Sequence, residues 1–419
     1  MFVRRVQTLD GLLALRSSWN TLLSRSYADD ITLTWEWVSA WWQVFGAGQR
    51  LCVLTAWESG ELVGIAPLAI RPITYRGMLP YRRLCFLMTG EDEQDEICSD
   101  YVDVIAPRER AREVGLALFR FVTSDIRAEW DEIELNGIDA TSLTWESALD
   151  PGAGLKNAQR REGPTGGCIV LADSWDRYLR TLSGHKRQRV LAARRLVEKR
   201  YQGVRFRVVG AGDDLASAMD EFQALHQLRM QSKGLPGCFS SAKFSAFHDT
   251  ISRHTHEEQK LLLCFLDVGG HPVAALYGFI HAGRFYAYQM GFDPGYENSL
   301  GVGAVLFGLC LEYLIGLGLR ECDLFFTSAG TWKDRWVNKV RTTHVLRASS
   351  RGSVRWSPRA IGYRASYSTV ELFRRAESAF RHHAVQGGPR GTHVPTGAGT
   401  SPSHHSAIPP QSGAGPADE

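Results

Sequence analysis

The order of apolar segments between Leu261 and Trp336 is the feature that most constrains the fold of this chain. An apolar hairpin (LLLCFLDVGGHPVAALYGFI) is followed by a third strand (RFYAYQMGFD), a turn with two glycines and an apolar helix (SLGVGAVLFGLCLEYLIGLG). A further strand (ECDLFF) and the segment TWKDRW complete the stretch. Apolar strands that alternate with a helix predict an α/β arrangement in which the helix covers a sheet. The glycines predict a helix N-terminus that is accessible to an anion.

The composition is that of a globular protein with room for two domains. The chain has 419 residues, of which 44% are hydrophobic and 22% are charged, so it can form a sizeable core without disulfides. Forty-eight basic and forty-five acidic residues leave a net charge of +3, which is too even to indicate DNA or an anionic membrane as a partner. The eight cysteines form no C-x-x-C pair and no metal-ligand spacing with histidine. We therefore expect reduced thiols and no metal site.

Two segments bear on localisation. Asp10 and Arg16 interrupt the apolar residues at the N-terminus, so the sequence predicts no signal peptide. The segment from Ser299 to Leu319 carries a single charge, Glu312, and is long enough to span a bilayer. Because it is rich in glycine and lies between strand-like segments, we expect a helix buried on a sheet. The protein is accordingly expected to be cytoplasmic and to have no transmembrane segment.

An internal similarity predicts two related halves. The segment from Leu51 to Ile70 aligns without a gap on the segment from Leu261 to Ile280, with Gly60 on Gly270. Both segments have the pattern of a strand, a glycine turn and a second strand. In each half, the hairpin is followed by more strand-like sequence, then by an apolar helix and by another strand. This repetition favours a pair of similar α/β domains over one large sheet.

Composition shifts along the chain predict the domain limits. We expect a first domain over residues 1–150 and a second over residues 168–383. Residues 151–167 are rich in Gly, Asn, Gln and Arg, which is typical of a linker. Residues 384–419 cannot bury enough apolar surface to offset chain entropy, so we expect a disordered tail.

A tryptophan-rich segment of the first half predicts a buried helix. Trp37, Trp41 and Phe45 lie at helical spacing between Trp35 and Phe45. Such an aromatic face is most often part of a core. We expect it to pack against the hairpin of its own half.

The glycine-bearing turn before the second apolar helix is the main candidate for a cofactor site. Acyl-CoA needs a place for its pyrophosphate, which helix N-termini supply through free N–H groups and the helix dipole. The candidate cofactor-binding residues are Gly301, Val302, Gly303 and Ala304 at the turn, with Met290 and Phe292 on the preceding strand. Gly301 and Gly303 have an alternative role, which is to let the helix approach the sheet closely.

Two polar residues lie near the end of the strand from Arg284 to Phe292. Tyr288 is positioned to donate a proton to a leaving thiolate, and Gln289 to orient an acceptor. Alternatively, both are hydrogen-bonded residues of the core.

Two ionisable residues lie in the strand ECDLFF and just after it. Asp323 lies among apolar residues, where an unpaired carboxylate would be costly. It is a candidate general base, and a structural salt bridge is equally compatible with its position. Lys333 lies just past the strand, where it suits a phosphate or carboxylate, so it is a candidate catalytic residue. Trp336 flanks it and is a candidate substrate contact.

A basic helix opens the second half. His185 to Arg200 carries seven Lys and Arg residues on a helical pattern with one apolar stripe, which favours a solvated face. The functional alternative is that Arg187 and Arg189, near the helix start, bind an anionic substrate.

Several motifs are shared with a known family. They are TWEWVSAWWQVFG, GELVGIAPL and SDYVDVIAP in the first half, and GHKRQRVLAARRL, HPVAALYGF, YQMGFDPGY, the glycine-bearing helix entry and W-K-x-x-W in the second. At these residues the chain resembles the CelD-like proteins over about residues 20–350. These are GNAT-type acetyltransferases associated with bacterial cellulose and exopolysaccharide biosynthesis, related in fold to Fem-type peptidyltransferases.

The resemblance implies tandem GNAT-like domains, each with a mixed, mostly antiparallel central sheet flanked by helices. It implies acyl-CoA as donor and an amine or hydroxyl of a saccharide or cell-envelope acceptor. The chain departs from the family pattern at Trp332, where the family commonly has Tyr, and at the glycine loop. There Asn298 takes the place of the usual Arg or Gln.

Three functions stay open at this point. The first is acyl transfer by direct attack on acyl-CoA, with N–H groups between Met290 and Phe292 polarising the thioester carbonyl and Asp323 or water taking the proton. The second is aminoacyl transfer from tRNA to a peptidoglycan precursor, which the basic helix supports. The third is a non-catalytic scaffold within a polysaccharide-synthesis complex.

Overall fold

The computed structural model describes residues 1–75, 79–296, 301–326 and 336–349. The α-helices span Leu9–Leu13 (α1), Arg16–Leu23 (α2), Trp35–Phe45 (α3), Ala111–Thr123 (α4), Thr144–Leu149 (α5), Trp175–Thr181 (α6), Gly184–Arg200 (α7), Leu215–Gln231 (α8), Ala242–Glu257 (α9) and Val302–Gly316 (α10). The strands span Phe2–Val6 (β1), Arg50–Leu51 (β2), Val53–Glu58 (β3), Glu61–Ala66 (β4), Leu68–Tyr75 (β5), Leu79–Phe86 (β6), Glu132–Asp139 (β7), Gln159–Val170 (β8), Arg205–Val208 (β9), Leu261–Val268 (β10), His271–His281 (β11), Arg284–Phe292 (β12), Glu321–Phe326 (β13) and Lys339–Ser349 (β14).

One large sheet crosses both halves of the chain. Its eleven strands lie in the order β2-β5-β6-β7-β14-β8-β13-β12-β11-β10-β9, while β1, β3 and β4 form a separate sheet. The junction is β14, which pairs with β7 of the first half and with β8. Among the described strands, β6 with β7 and β12 with β13 are parallel and the other pairs are antiparallel. The predicted fold class, a mixed α/β fold with a central sheet flanked by helices, is confirmed. The preference for a pair of domains over one large sheet is wrong for the sheet itself, which both halves share through β14. The limits of the two domains stay a prediction.

Helices cover the two faces of the second half of the sheet. Successive residues of β10 point to opposite faces: Leu263 and Phe265 pack in the core that contains α8 and α9, and Leu262 and Cys264 in the core that contains α10. Helix α10 is apolar around most of its surface because it packs against α7 as well as against β10, β11 and β12 of the sheet. No helix of the described residues is long and apolar enough to cross a membrane.

Both predicted hairpins are present. Strands β3 and β4 turn at Gly60, and β10 and β11 turn at Gly270, with φ of +85° and +84°. These positive angles explain why glycine closes both turns.

The predicted linker, residues 151–167, is only partly irregular. From Gln159 onwards it belongs to β8, which pairs with β14 and β13. The glycines of this strand let neighbours approach closely. A Cβ on Gly166 would lie 2.1 Å from the Tyr101 hydroxyl oxygen. The glycines that suggest a linker therefore serve close packing here. The tail predicted over residues 384–419 lies outside the described residues.

Helix α3 has the predicted limits and the predicted buried aromatic face. The Thr34 hydroxyl caps its N-terminus by accepting the Trp37 N–H at 3.4 Å. The Trp37 ring packs edge-on against Phe247 of α9, at 5.0 Å between centroids, and Phe279 of β11, at 5.4 Å. A first-half helix thus reaches the core of the second half, beyond the hairpin of its own half.

Asp103 is expected to make stability decrease as pH rises. Burial raises the pKa of its carboxyl to about 6, although hydrogen bonds from Ser142, Thr144 and the Val104 N–H oppose the shift. The folded chain therefore keeps a proton between about pH 4 and 6 that the unfolded chain loses, so stability falls across that window. From about pH 4 to 7, Asp103→Asn should gain up to about 3 kcal/mol of unfolding free energy relative to wild type, as measured by urea unfolding.

Asp150→Asn is the control for this measurement. The Gly152 N–H holds the pKa of the Asp150 carboxyl below its usual range. Asp150 therefore contributes stability at neutral pH that is lost in acid, which is the opposite sign. Parallel pH profiles for Asp103→Asn and wild type would contradict the prediction.

Candidate functional site

Strands β12 and β13 are parallel neighbours that separate part-way along their length. The paired residues are Arg284 with Glu321, Phe285 with Cys322 and Tyr286 with Asp323. Beyond these pairs β12 continues to Phe292 and β13 to Phe326, with no pairing between them in the described residues. We call this gap the β12/β13 cleft. Unpaired backbone groups along such a gap can hydrogen-bond to an extended ligand that contains amides.

A β-bulge shapes the β12 side of the cleft. Opposite β11, Tyr277 pairs with Gln289 and Gly278 with Ala287, so Tyr288 is the extra residue. The Tyr288 hydroxyl donates a hydrogen bond to the carbonyl of Ile97 at 2.5 Å. Burial raises the pKa of this hydroxyl. The phenol is therefore neutral, and its proton is held by a first-half backbone group.

Helix α8 lies directly against the end of β12. A Cβ on Gly291 would come within 2.3 Å of the backbone nitrogen of His226, so only glycine permits this contact. The His226 ring is buried, with its Nε2 3.4 Å from the Cys238 sulfur and its Nδ1 3.2 Å from Oε1 of Gln227. Burial lowers the pKa of His226 to about 4, so the imidazole is neutral near pH 7. Gln289, two residues before Gly291 on β12, is half-buried.

The N-terminus of α10 lies beside the last residues of β12. Gly301 caps the helix with φ of +64° and without a side-chain hydrogen bond. A Cβ on Gly303 would lie 3.1 Å from Cδ1 of Phe292 and 3.4 Å from the sulfur of Met290. The structure therefore brings the predicted cofactor residues together, and both proposed roles of the glycines are compatible with this geometry.

Asp323 lies at the base of the cleft within a buried cluster of charges. Its Oδ1 accepts the N–H of Phe325 at 2.8 Å and the Tyr101 hydroxyl at 3.3 Å, and its Oδ2 lies 3.0 Å from Nη1 of Arg341. Arg341 also contacts Asp30 at 3.3 Å and Asp139 at 3.2 Å. These contacts favour the salt-bridge role of Asp323. Its role as general base stays a prediction.

Burial and neighbouring charges shift the pKa of Arg341 and of Asp30 in this cluster. Burial alone would lower the pKa of Arg341, but the carboxylates of Asp30 and Asp323 overcome burial and raise it. Burial raises the pKa of Asp30, although Arg341 and Arg284 oppose that shift. Arg341 is therefore a permanent cation that the carboxylates of both halves share.

Part of the chain that contains this site is similar to a known protein family. Residues 184–334 match the family model of the acetyltransferase (GNAT) domain. The match includes β12, β13 and the start of α10, and it supports an acyltransferase. No curated protein matches the sequence.

One solved structure, that of FemX, shows a similar fold for most of the chain. The crystal structure of FemX is similar with a TM-score of 0.57 at 10% identity, over 83% of this chain and 97% of that chain. The structure of L-PGS from Bacillus licheniformis has a TM-score of 0.48 at 12% identity, over 80% of this chain and 92% of that chain. A tandem GNAT protein from the clavulanic acid biosynthesis pathway has a TM-score of 0.44 at 12% identity, over 84% of this chain and 99% of that chain. At these identities the similarity concerns the fold alone, and the CelD-like assignment stays a prediction.

Four further predicted site residues lie away from the cleft or outside the described residues. Trp336 is buried against Phe307, with ring centroids 5.4 Å apart. Arg187 and Arg189 are exposed on α7, and no contact among the described residues links them to the cleft. Lys333 lies outside the described residues. The described residues contain no group of three or more His, Cys, Asp or Glu side chains arranged to hold a metal.

Sequence reasoning missed three residues around the cleft. Tyr101 and Arg341 bond to Asp323, and Nη1 of Arg229 donates to the carbonyl of Met290 at 2.6 Å. For Tyr101 and Arg341, the only signal in the sequence is the apolar surroundings of Asp323, which require a partner for the carboxylate but do not identify it. The sequence has no comparable signal for Arg229.

Tyr288→Phe tests whether this hydroxyl takes part in chemistry. Because the hydroxyl donates to Ile97, we expect its removal to cost about 1–3 kcal/mol of unfolding free energy and to change kcat less than about fivefold. Loss of a general acid would lower kcat by about 100-fold or more, and that result would support proton donation to a leaving thiolate. Tyr313→Phe is the control, since Tyr313 packs on Phe206 away from this hydrogen bond.

Proposed function

We propose that the protein transfers an acyl group from acyl-CoA to an amine or hydroxyl of a saccharide or cell-envelope acceptor, in exopolysaccharide or cellulose biosynthesis. The observation that carries the proposal is the β12/β13 cleft, which ends at the glycine-capped start of α10. The GNAT family match over the same residues supports acyl-CoA as the donor. The resemblance to CelD-like proteins supports the choice of acceptor.

The residues of the cleft fit the parts of acyl-CoA. The N-terminus of α10 has the dipole and close strand contact that suit a pyrophosphate, and Gly301 leaves its entrance free of a capping side chain. The part of β12 beyond Tyr286, which pairs with β11 but no longer with β13, suits the amides of the pantetheine arm. Backbone N–H groups between Met290 and Phe292 are proposed to polarise the thioester carbonyl.

The acceptor is proposed to approach from the side of α8. Gln289 is half-buried on the part of β12 that borders the cleft and is suited to orient a hydroxyl or amine. Catalysis then depends chiefly on proximity and on carbonyl polarisation. Proton acceptance by Asp323 or water, and substrate contacts by Lys333, Trp336, Arg187 and Arg189, are further parts of the proposal.

Isothermal titration tests the donor. We expect acetyl-CoA to bind with a Kd between about 1 μM and 1 mM, and CoA to compete with it. The release of free thiol in the presence of amine-bearing and hydroxyl-bearing sugars then identifies the acceptor class. No heat and no shift in melting temperature at millimolar acetyl-CoA would overturn the proposal.

A second candidate is aminoacyl transfer from tRNA to a peptidoglycan precursor. The observation that favours it is the outer surface of α7, a helix about 25 Å long. Five exposed cations there have no carboxylate partner among the described residues: Arg187, Arg189, Arg195, Lys199 and Arg200. A polyanion would fit this surface. If tRNA leaves the migration of the protein unchanged at low salt, this candidate fails.

A further inference from the structure

The separation of β12 and β13 coincides with one unusual backbone conformation. Phe325 has φ of +54°, an angle that residues other than glycine rarely adopt because Cβ crowds the following carbonyl. It lies two residues after the last β12–β13 pair, in which Asp323 is the β13 member. The pairing of β13 with β8 also changes register between Asp323 and Phe326. A strained conformation of this kind persists only where its surroundings hold it.

Asp323 supplies the contact that holds Phe325. Its Oδ1 accepts the N–H of Phe325 at 2.8 Å, so the side chain bonds the backbone two residues further on, which is how aspartate stabilises a turn. The Phe325 ring also contacts the rings of Tyr286 and Tyr288, with centroids 5.7 Å and 5.6 Å away. The carboxylate thus holds the backbone turn at which β13 stops pairing with β12, and the Phe325 ring packs against β12 side chains.

Asp323 is in turn fixed by two neighbours. The Tyr101 hydroxyl donates to its Oδ1 at 3.3 Å, and Nη1 of Arg341 lies 3.0 Å from its Oδ2. The residue is fully buried, so water cannot replace these partners. The orientation of the carboxylate towards Phe325 therefore depends on Tyr101 and Arg341.

Tyr101 belongs to the first half of the chain. Its hydroxyl reaches Asp323 at the position of Gly166 in β8, where any larger residue would block it. Its ring lies 3.4 Å from the Arg341 guanidinium carbon, a stacking contact that also fixes Arg341. The preceding residue, Asp100, is anchored through its carbonyl by the Thr32 hydroxyl at 2.7 Å. The first half thus places Tyr101 firmly beneath the cleft.

We propose that Tyr101 is a positioning residue for acyl-CoA binding: through Asp323 it holds Phe325 in the left-handed conformation that keeps the β12/β13 cleft open. The role rests on the proposed function, because it presumes that acyl-CoA occupies the cleft. It gives the first half a part in donor binding without any direct contact with the donor.

Tyr101→Phe tests this role with acetyl-CoA as the titrant. The variant keeps the ring over Arg341 and removes only the hydroxyl, so we expect the Kd for acetyl-CoA to rise about tenfold. We expect kcat at saturating acetyl-CoA to stay within about twofold. Tyr81→Phe is the matched control: Tyr81 is also in the first half, accepts a hydrogen bond from Arg83 at 2.9 Å and lies beside its guanidinium.

Phe325→Gly supplies a rescue that a general loss of stability would not show. Glycine adopts positive φ without cost, so the contact from Asp323 is no longer needed. In the Phe325→Gly background, Tyr101→Phe should then change the Kd less than about twofold. Amide hydrogen exchange of residues 324–326, measured on the free protein, should be faster in Tyr101→Phe than in Tyr81→Phe.

The outcomes separate the two proposals. If the wild-type protein does not bind acetyl-CoA, the proposed function fails and the role of Tyr101 fails with it. If the wild type binds and Tyr101→Phe binds equally well, only the role of Tyr101 is overturned. An equal loss of affinity from Tyr101→Phe in the wild-type and Phe325→Gly backgrounds would also overturn it, because the effect would then not pass through this backbone conformation.

Discussion

Arg341→Ala is expected to lower the unfolding free energy by at least about 3–5 kcal/mol. The guanidinium contacts Asp30, Asp139 and Asp323 at 3.3, 3.2 and 3.0 Å, and its side chain is 13% exposed. Removing it leaves neighbouring carboxylates buried without their shared cation. Because a folded protein is commonly stable by only about 5–15 kcal/mol, this loss is a large fraction of the native stability. Urea unfolding at neutral pH measures the change.

Two further variants show whether the loss comes from the buried carboxylates. Arg320→Ala removes an exposed guanidinium that donates to the Ala282 carbonyl, and we expect it to change stability by less than about 0.5 kcal/mol. Adding Asp30→Asn to Arg341→Ala should recover part of the loss, since it removes a buried carboxylate that keeps only the more distant Arg284, at 3.6 Å, as an ion-pair partner. A loss below about 1 kcal/mol for Arg341→Ala would contradict the prediction.

Features set by neighbouring residues could be predicted from the sequence. The limits of α3 follow from the Thr34 cap and from aromatic residues at helical spacing. The hairpin turns follow from Gly60 and Gly270, and the start of α10 from Gly301. In each case the cause lies within a few residues of its effect, so local chemistry is sufficient.

Features set by distant residues could not be predicted. Asp323 was identified as a carboxylate that needs a partner, but Tyr101 is 222 residues away and Arg341 is 18 residues away. No local pattern indicates either contact. Likewise, Gln159–Val170 has the composition of a linker, and it is a strand because β14 returns to pair with it. Strand pairing of this kind depends on tertiary context more than on composition.

The contacts between the halves explain why the candidate site is more than a property of residues 184–334. Tyr288 on β12 donates to the carbonyl of Ile97, and Ser241 before α9 donates to Asp95 at 2.6 Å. The first-half segment that contains Ile97 and Tyr101 therefore lies beneath the cleft from which the acyl donor is proposed to react. A fragment that begins near residue 184 would expose these buried groups, and we do not expect it to keep the cleft geometry.

Gly303→Val is expected to raise the Kd for acetyl-CoA by at least about 100-fold, equivalent to about 2.7 kcal/mol. The Cβ position of Gly303 already lies 3.1 Å from Cδ1 of Phe292 and 3.4 Å from the Met290 sulfur. The two methyl groups of valine would therefore enter the contact between α10 and β12. The helix N-terminus must then move away from the strand, which separates the proposed pyrophosphate site from the cleft. Isothermal titration measures the affinity, and circular dichroism checks that the variant is folded.

Gly316→Val is the matched control for that measurement. Gly316 ends the same helix, and a Cβ there meets nothing within 4 Å. Both substitutions replace glycine with a better helix former, so intrinsic helix propensity affects the two variants in the same direction. Only the variant at residue 303 alters the contact with β12. Equal affinities of the two variants for acetyl-CoA would show that close approach of α10 to β12 is not required for binding the donor.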